Sequence, residues 1–185
     1  ETFDIITGLE KAANIQLLNN TQTITSLVGN GTNRVVAKDT VAIDVADELA
    51  EIMKVNFRIV DEETKISYNK VLSKADAIVE VMYLTEDNRI NTAMTRIPIM
   101  GFVDIQNVNE NSECEVQNNL SNLIIKPNSI EEHSIYIEAE IEVICSAYET
   151  REINMIEDLY SITDDIEFTK KEINAVTERN KICDV

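Results

Sequence analysis

The sequence of 185 residues has no tryptophan, only four glycines and two prolines, and a single histidine. Aromatic residues make up 5% of the chain, so its core has to be built mainly from Ile, Val, Leu and Ala. The scarcity of glycine and proline argues against a loop-dominated or disordered chain. No apolar run of about 20 residues is present, and we predict no membrane insertion. Since the first residue is Glu1 rather than methionine, we expect the chain to be part of a longer protein.

Basic residues are also few. The 16 Lys and Arg residues are outnumbered by 34 Asp and Glu residues, which gives a net charge of −18. Nucleic acid and anionic membrane surfaces would be repelled rather than neutralised, so we predict neither as a partner. We interpret the acidity as a source of solubility, with a basic partner or bound divalent cations as the alternatives.

The three cysteines, Cys114, Cys145 and Cys183, are widely spaced. They form no CxxC pair and no cluster with histidine, which excludes the usual zinc-binding patterns. An odd number at such spacing does not predict a disulfide framework, and it favours a reducing compartment. Cys145 is interpreted as a small buried apolar residue.

Candidate catalytic residues are isolated. His133 lies in a short polar turn and is predicted to be exposed, since an acid/base histidine would need a positioned partner. Acidic pairs such as Glu62-Glu63 and Asp164-Asp165 have no opposing row of carboxylates and no EF-hand spacing. We therefore predict a protein that is not an enzyme, with no catalytic residue, no metal site and no cofactor.

Residues 135–145 carry the clearest structural signal of the chain, because their apolar and polar side chains alternate. One side of the predicted strand is apolar and consists of Ile135, Ile137, Ala139, Ile141, Val143 and Cys145. The other side carries Tyr136, Glu138, Glu140, Glu142 and Ile144. Strand side chains alternate between faces, so this pattern predicts an antiparallel sheet with one buried face and one acidic, wetted face.

Further strands are predicted at residues 21–28, 34–42, 55–59, 75–83, 90–99, 100–105, 114–125, 147–156 and 166–168. Tight turns are expected at Asn69-Lys70 and at residues 86–89, and Pro98 indicates an edge strand or a bulge. Gly29-Asn30-Gly31 predicts a chain break or a long turn. The fold class is mainly β, an antiparallel β-sandwich or a partly open barrel with one short amphipathic helix.

That helix is predicted over residues 44–53. Its apolar face would consist of Val45, Leu49, Ile52 and Met53, which follow a spacing of three to four residues. Asp44 would be its N-cap. A weaker helical pattern covers residues 8–19.

Ile78, Met82 and Leu84 are the candidate interface residues. They share one side of a predicted strand with Asp76 and Glu80, so they are interpreted as exposed contacts for another protein. The alternative is that they face a second sheet.

Residues 35–161 resemble the SPOCS (spore coat and sporulation) domain family of endospore-forming bacteria. The resemblance rests on an ordered series of segments: 47–53 (DELAEIM), 60–63 (VDEE), 79–89 (VEVMYLTEDNR), 97–104 (IPIMGFVD), 114–116 (CEV), 135–145 (IYIEAEIEVIC), 148–149 (YE) and 158–161 (DLYS). We predict a SPOCS-like β domain at residues 31–161. Residues 1–30 and 162–185 would be flanks that belong to neighbouring repeats.

The resemblance implies a non-enzymatic scaffold module of a spore-assembly protein, located in the mother-cell cytoplasm or on the surface of the forming spore. It implies other spore-assembly proteins as partners, together with self-association. The coat-organising ATPase SpoIVA would bind another part of the parent chain, since no LysM-like segment is present here. Two other functions remain open: a carbohydrate- or peptidoglycan-binding β-sandwich, and a hydrolase with two carboxylates.

Overall fold

The computed structural model describes residues 6, 8–9, 14–128, 133–163, 165–167 and 169. Six strands account for most of these residues: β1 (Ile15–Ala42), β2 (Leu49–Ser67), β3 (Lys70–Thr85), β4 (Ile90–Asp104), β5 (Glu113–Pro127) and β6 (Ser134–Ser161). No helix occurs in this part of the chain, and hence none that is long and apolar enough to cross a membrane.

The strands form two three-stranded sheets, in the orders β1-β6-β5 and β2-β3-β4. β3 pairs antiparallel with both of its neighbours. Both sheets contribute to one hydrophobic core, as in a sandwich, and neither sheet closes into a barrel. The predicted antiparallel, mainly β fold is therefore confirmed, whereas the predicted helix is absent.

The chain divides into two compact units. One comprises Leu27–Ala147 and contains the whole core, and the other comprises Glu1–Ser26 together with Tyr148–Val185. In the second unit the ends of β1 and β6 pair as a ribbon, where Thr25 and Thr150 hydroxyls lie 2.8 Å apart. The domain bounds drawn from the sequence, 31–161, remain a prediction.

The alternating segment behaves as its sequence predicts. All six residues of its apolar side are fully buried, at 0% exposure, and they form the centre of the core in β6. The acidic side of the same strand is half-exposed. Period-two alternation reports burial directly, so this strand could be predicted without knowledge of its partners.

The predicted helix at residues 44–53 is wrong. Asp44 accepts hydrogen bonds from the amides of Ala46 and Asp47, but these close only a single turn, and β2 begins at Leu49. The β2–β3 register shifts between Leu49 and Glu51 and again between Ile52 and Lys54. Each bulge inserts one residue, so inward-facing side chains recur every three residues and imitate helical spacing.

The turn predicted at Gly29-Asn30-Gly31 is also wrong, because all three residues lie within β1. Neither glycine has a positive φ. A Cβ atom on Gly31 would lie 2.7 Å from Val103 Cγ1 and 3.0 Å from the Asp104 carbonyl oxygen. These glycines therefore allow β1 to approach the end of β4, a role that glycine also has inside strands.

The hairpin predictions are largely confirmed. Asn69 and Asn88, at φ of 57° and 62°, occupy the left-handed conformation that asparagine tolerates, in the β2–β3 and β3–β4 turns. Ser67 pairs with Lys70, so the first turn lies at Tyr68-Asn69, one residue earlier than predicted.

The remaining differences lie near the ends of the chain. Residues 15–19 belong to β1, so the weaker helix fails there, and residues 165–167 are not in a strand. Residues 8, 9 and 14 are not helical either, and residues 10–13 and 168 fall outside the described residues.

Candidate interaction surface

Ile78, Met82 and Leu84 lie on the solvent side of the β2-β3-β4 sheet, which is called the outer face below. Between them in β3, Val79 and Val81 point into the core at 0% exposure. The interpretation of these three residues as facing a second sheet is therefore wrong. Their side chains are half-buried among neighbours on the same face.

The register between β3 and β4 extends this apolar surface. Leu84 pairs with Ile90, and Glu80 pairs with Met94, which places Met82 diagonally between the two β4 side chains. Ile90 is 58% exposed and Met94 is 66% exposed. We call Met82, Leu84, Ile90 and Met94 the hairpin patch, because they lie beside the β3–β4 hairpin.

A second apolar group, here called the far patch, occupies the opposite end of the outer face. It consists of Leu72, Met100 and Phe102. Leu72 pairs with Phe102, and Met100 pairs with Lys74. The ammonium group of Lys70 lies 5.4 Å from the centroid of the Phe102 ring, a cation–π arrangement. Lys70 also lies 3.5 Å from Asp104, so an ion pair borders the far patch.

A charged belt, formed by Arg58, Asp61, Asp76 and Arg96, separates the two patches. The Arg96 guanidinium donates hydrogen bonds to both Asp76 and Asp61, and the Asp76 bond raises the pKa of Arg96. Ile78 lies in this belt, since it pairs with Arg58 on one side and with Arg96 on the other. The three predicted interface residues thus divide between the belt and the hairpin patch.

Sequence reasoning missed the β4 members of both patches. Ile90, Met94, Met100 and Phe102 all occupy even positions of one strand, and the odd positions from Ala93 to Val103 contain its buried residues. The same alternation that revealed β6 was therefore present in β4. The charged and polar residues between the apolar ones conceal it, and only the β3–β4 register shows which side chains meet.

Residues 48–128 match the model of the family described as SipL, SPOCS domain. This segment belongs to the SPOCS domain family. The resemblance drawn from the sequence is confirmed over these residues. The match contains the whole of β2, β3 and β4, so the outer face is part of the SPOCS segment. No curated protein and no solved structure matches the chain.

Outside the SPOCS segment, the acidic side of β6 is partly neutralised by β1. Lys38 Nζ lies 3.1 Å from Glu138, and Arg34 lies 3.4 Å from Glu140. Hydrogen bonds from Tyr136 and then from Lys38 hold the pKa of Glu138 below its usual range. Across the described part of the chain, no group of three or more His, Cys, Asp or Glu side chains is arranged to hold a metal ion.

A cavity of about 390 Å³ lies at the end of the sandwich where the SPOCS segment begins. Its described lining consists of Ile43, Asp47, Glu48, Leu49, Pro127, Asn128, His133 and Ser134. His133 is half-buried rather than exposed, and its Nδ1 lies 3.1 Å from the backbone oxygen of Asp47. His133 is therefore a turn residue, as predicted, with a φ of 57°, but the prediction that it is exposed is wrong.

The Asp47 carboxylate is not available to His133 as an acid/base partner. It is only 1% exposed and accepts hydrogen bonds from Tyr83 Oη, Arg89 Nη2 and Asn91 Nδ2 at 2.6–3.1 Å. Because its three donors lie on β3, β4 and their hairpin, this carboxylate anchors the 43–48 connection to the β2-β3-β4 sheet. Its role in this geometry is structural.

Proposed function

We propose that this chain is a non-enzymatic interaction module of a spore-assembly protein, and that the outer face binds a partner protein. The family match supports the sporulation context. The setting of this binding is the mother-cell cytoplasm or the surface of the forming spore.

The observation that carries the proposal is the exposure of large apolar side chains on one sheet face. Ile90, Met94, Met100 and Phe102 are 47–66% exposed, although the core beneath them is filled. A solvated face of an antiparallel sheet is normally polar. Grouped apolar side chains with a polar border are typical of protein-binding surfaces.

The partner is a protein that carries net positive charge around an apolar contact. The chain has a net charge of −18, so association with a second copy would bring like charges together. On the outer face itself the charged belt is balanced, since Arg58 and Arg96 accompany Asp61 and Asp76. The apolar patches would supply the contact, and the acidic remainder of the surface would attract the basic partner.

Site-specific photo-cross-linking in sporulating cells tests the proposal. A photoreactive residue at Met94 should form a cross-link to a basic protein, whereas one at Val36, which is 51% exposed on β1, should not. Equal cross-linking at both positions, or none at Met94, would contradict the use of the outer face. A cross-link to a second copy of the chain would contradict a basic partner.

Charge variants provide the matched functional test. Ile90→Glu combined with Met94→Glu should abolish recruitment to the forming spore, because buried charges in an interface are strongly disfavoured. Val36→Glu should leave recruitment unchanged. Circular dichroism of each purified variant shows that it is folded, so a loss of recruitment in a folded Ile90/Met94 variant reports on binding. Normal recruitment of that variant would refute the proposal.

A further inference from the structure

Two cysteines meet inside the sandwich. Cys145 lies in β6 at 0% exposure, and Cys114 lies at the start of β5, half-buried and packed against the same core. β5 and β6 are hydrogen-bonded neighbours in one sheet. The two thiols lie close enough to influence each other's pKa, and both are free.

We propose that Cys114 and Cys145 form an oxidation site, in which a small-molecule disulfide such as oxidised glutathione links them in a cross-strand disulfide bond. Residues opposite each other in an antiparallel pair have Cα atoms about 4.5–5.5 Å apart. Disulfides span Cα separations of about 4.4–6.8 Å. Two contacting thiols on adjacent strands of one sheet are therefore suited to such a bond.

The reaction begins at Cys114, because it is the more accessible of the two. Its thiolate attacks one sulfur of the oxidised glutathione, forms a mixed disulfide and releases one glutathione thiolate. Cys145 then loses its proton and attacks the Cys114 sulfur, which releases the second glutathione. Two protein thiols are oxidised to one disulfide, and one oxidised glutathione is reduced to two thiols.

The environment of the thiols makes the reaction slow at neutral pH. Burial raises the pKa of both groups, and burial together with proximity to Cys114 raises that of Cys145 to about 12. Only the thiolate is nucleophilic, so the pair resists brief exposure to oxidant and reacts on sustained exposure.

The disulfide would secure an edge of the fold. β5 is an edge strand of its sheet, and Cys114 is its second residue, directly after the connection that arrives from β4 in the other sheet. β6 is the central strand of the sheet that contains β5. A bond between them fastens the beginning of the edge strand to the centre of the core.

The test uses the Cys183→Ser chain, since Cys183 lies outside the described residues. The folded protein is incubated with oxidised glutathione, denatured, treated with iodoacetamide and analysed by mass spectrometry. We expect loss of both alkylatable thiols, a peptide that joins Cys114 to Cys145, and an increased melting temperature that dithiothreitol reverses. The rate should rise with pH, as thiolate chemistry requires.

Single variants separate the steps. Cys145→Ser should stop at a mixed disulfide on Cys114, and Cys114→Ser should keep its Cys145 thiol in the folded state. Two alkylatable thiols after sustained oxidation, two separate glutathione adducts, or a disulfide-linked dimer would each overturn the proposal.

Discussion

Asp47 provides the sharpest test of how the β2-β3-β4 sheet is held to the connection at residues 43–48. Asp47→Asn preserves the size of the side chain and removes only the charge and one acceptor atom. The amide oxygen can still accept from Tyr83 and Asn91, but the amide nitrogen then faces the donor of Arg89. The variant therefore loses one charge-assisted hydrogen bond and weakens two others.

The expected cost is about 3 kcal/mol in the free energy of unfolding. A hydrogen bond to a charged group contributes about 1.5–3 kcal/mol, and the lower value applies because the Arg89 side chain is 52% exposed and can be solvated. The bonds from Tyr83 and Asn91 change from charge-assisted to neutral, which costs about 0.5–1 kcal/mol each. For a chain of this length the melting temperature should fall by about 6–12 °C.

Urea unfolding monitored by circular dichroism measures this cost, with Asp87→Asn as the matched control. Asp87 also pairs with Arg89, at 2.6 Å, but its side chain is 58% exposed. Exposed ion pairs contribute about 1 kcal/mol or less, and the Asn oxygen can still accept the hydrogen bond of Thr85, so the control should cost about 1 kcal/mol. If the Asp47 variant costs no more than the Asp87 variant, burial does not strengthen the Asp47 hydrogen bonds, and the reasoning is refuted.

Two further predictions concern the core. Burial and the Asp47 hydrogen bond raise the pKa of Tyr83 from 10.0 to about 12, so its stabilising contribution is complete below pH 10 and is lost as the pH rises through about 12. The difference in unfolding free energy between the parent chain and Tyr83→Phe should change by about 2 kcal/mol between pH 10 and pH 12; a difference that does not vary with pH would contradict this assignment. Gly31→Ala should cost about 1–3 kcal/mol in denaturant titrations, because its Cβ would overlap Val103, whereas Gly8→Ala, with no atom within 4 Å of the added Cβ, should be neutral. Equal stabilities of the two glycine variants would show that β1 does not require this close approach.

Predictions from sequence succeeded where the pattern within a single segment is enough to assign its side chains to a buried or an exposed face. The apolar side of residues 135–145 is fully buried because alternation assigns every side chain to a face. The turns at Asn69 and Asn88 were predictable because asparagine tolerates positive φ. The interface itself stays a prediction, and the sequence placed Met82 and Leu84 on one face without the β4 residues that complete the hairpin patch.

Predictions failed where spacing along the chain depends on a partner strand. In β2 two bulges set the inward-facing residues at intervals of three, and this spacing has the appearance of a helix. Gly29-Asn30-Gly31 in β1 has the composition of a turn. Glycine is required there because Val103 and Ile105, at and just after the end of β4, leave no room for a Cβ atom. Neither requirement can be read from the segment itself.

The sequence by itself determined that this protein is acidic and mainly antiparallel β, because composition and alternation are local properties, and it carried the resemblance of residues 48–128 to the SPOCS domain. Only the tertiary structure decided which apolar residues meet on the outer face, which carboxylate is buried under three donors, and which two thiols are in contact. These relations join positions that lie far apart in the chain, and they follow from strand register and sheet order. Many sequences with the same alternation could have paired their strands in another register.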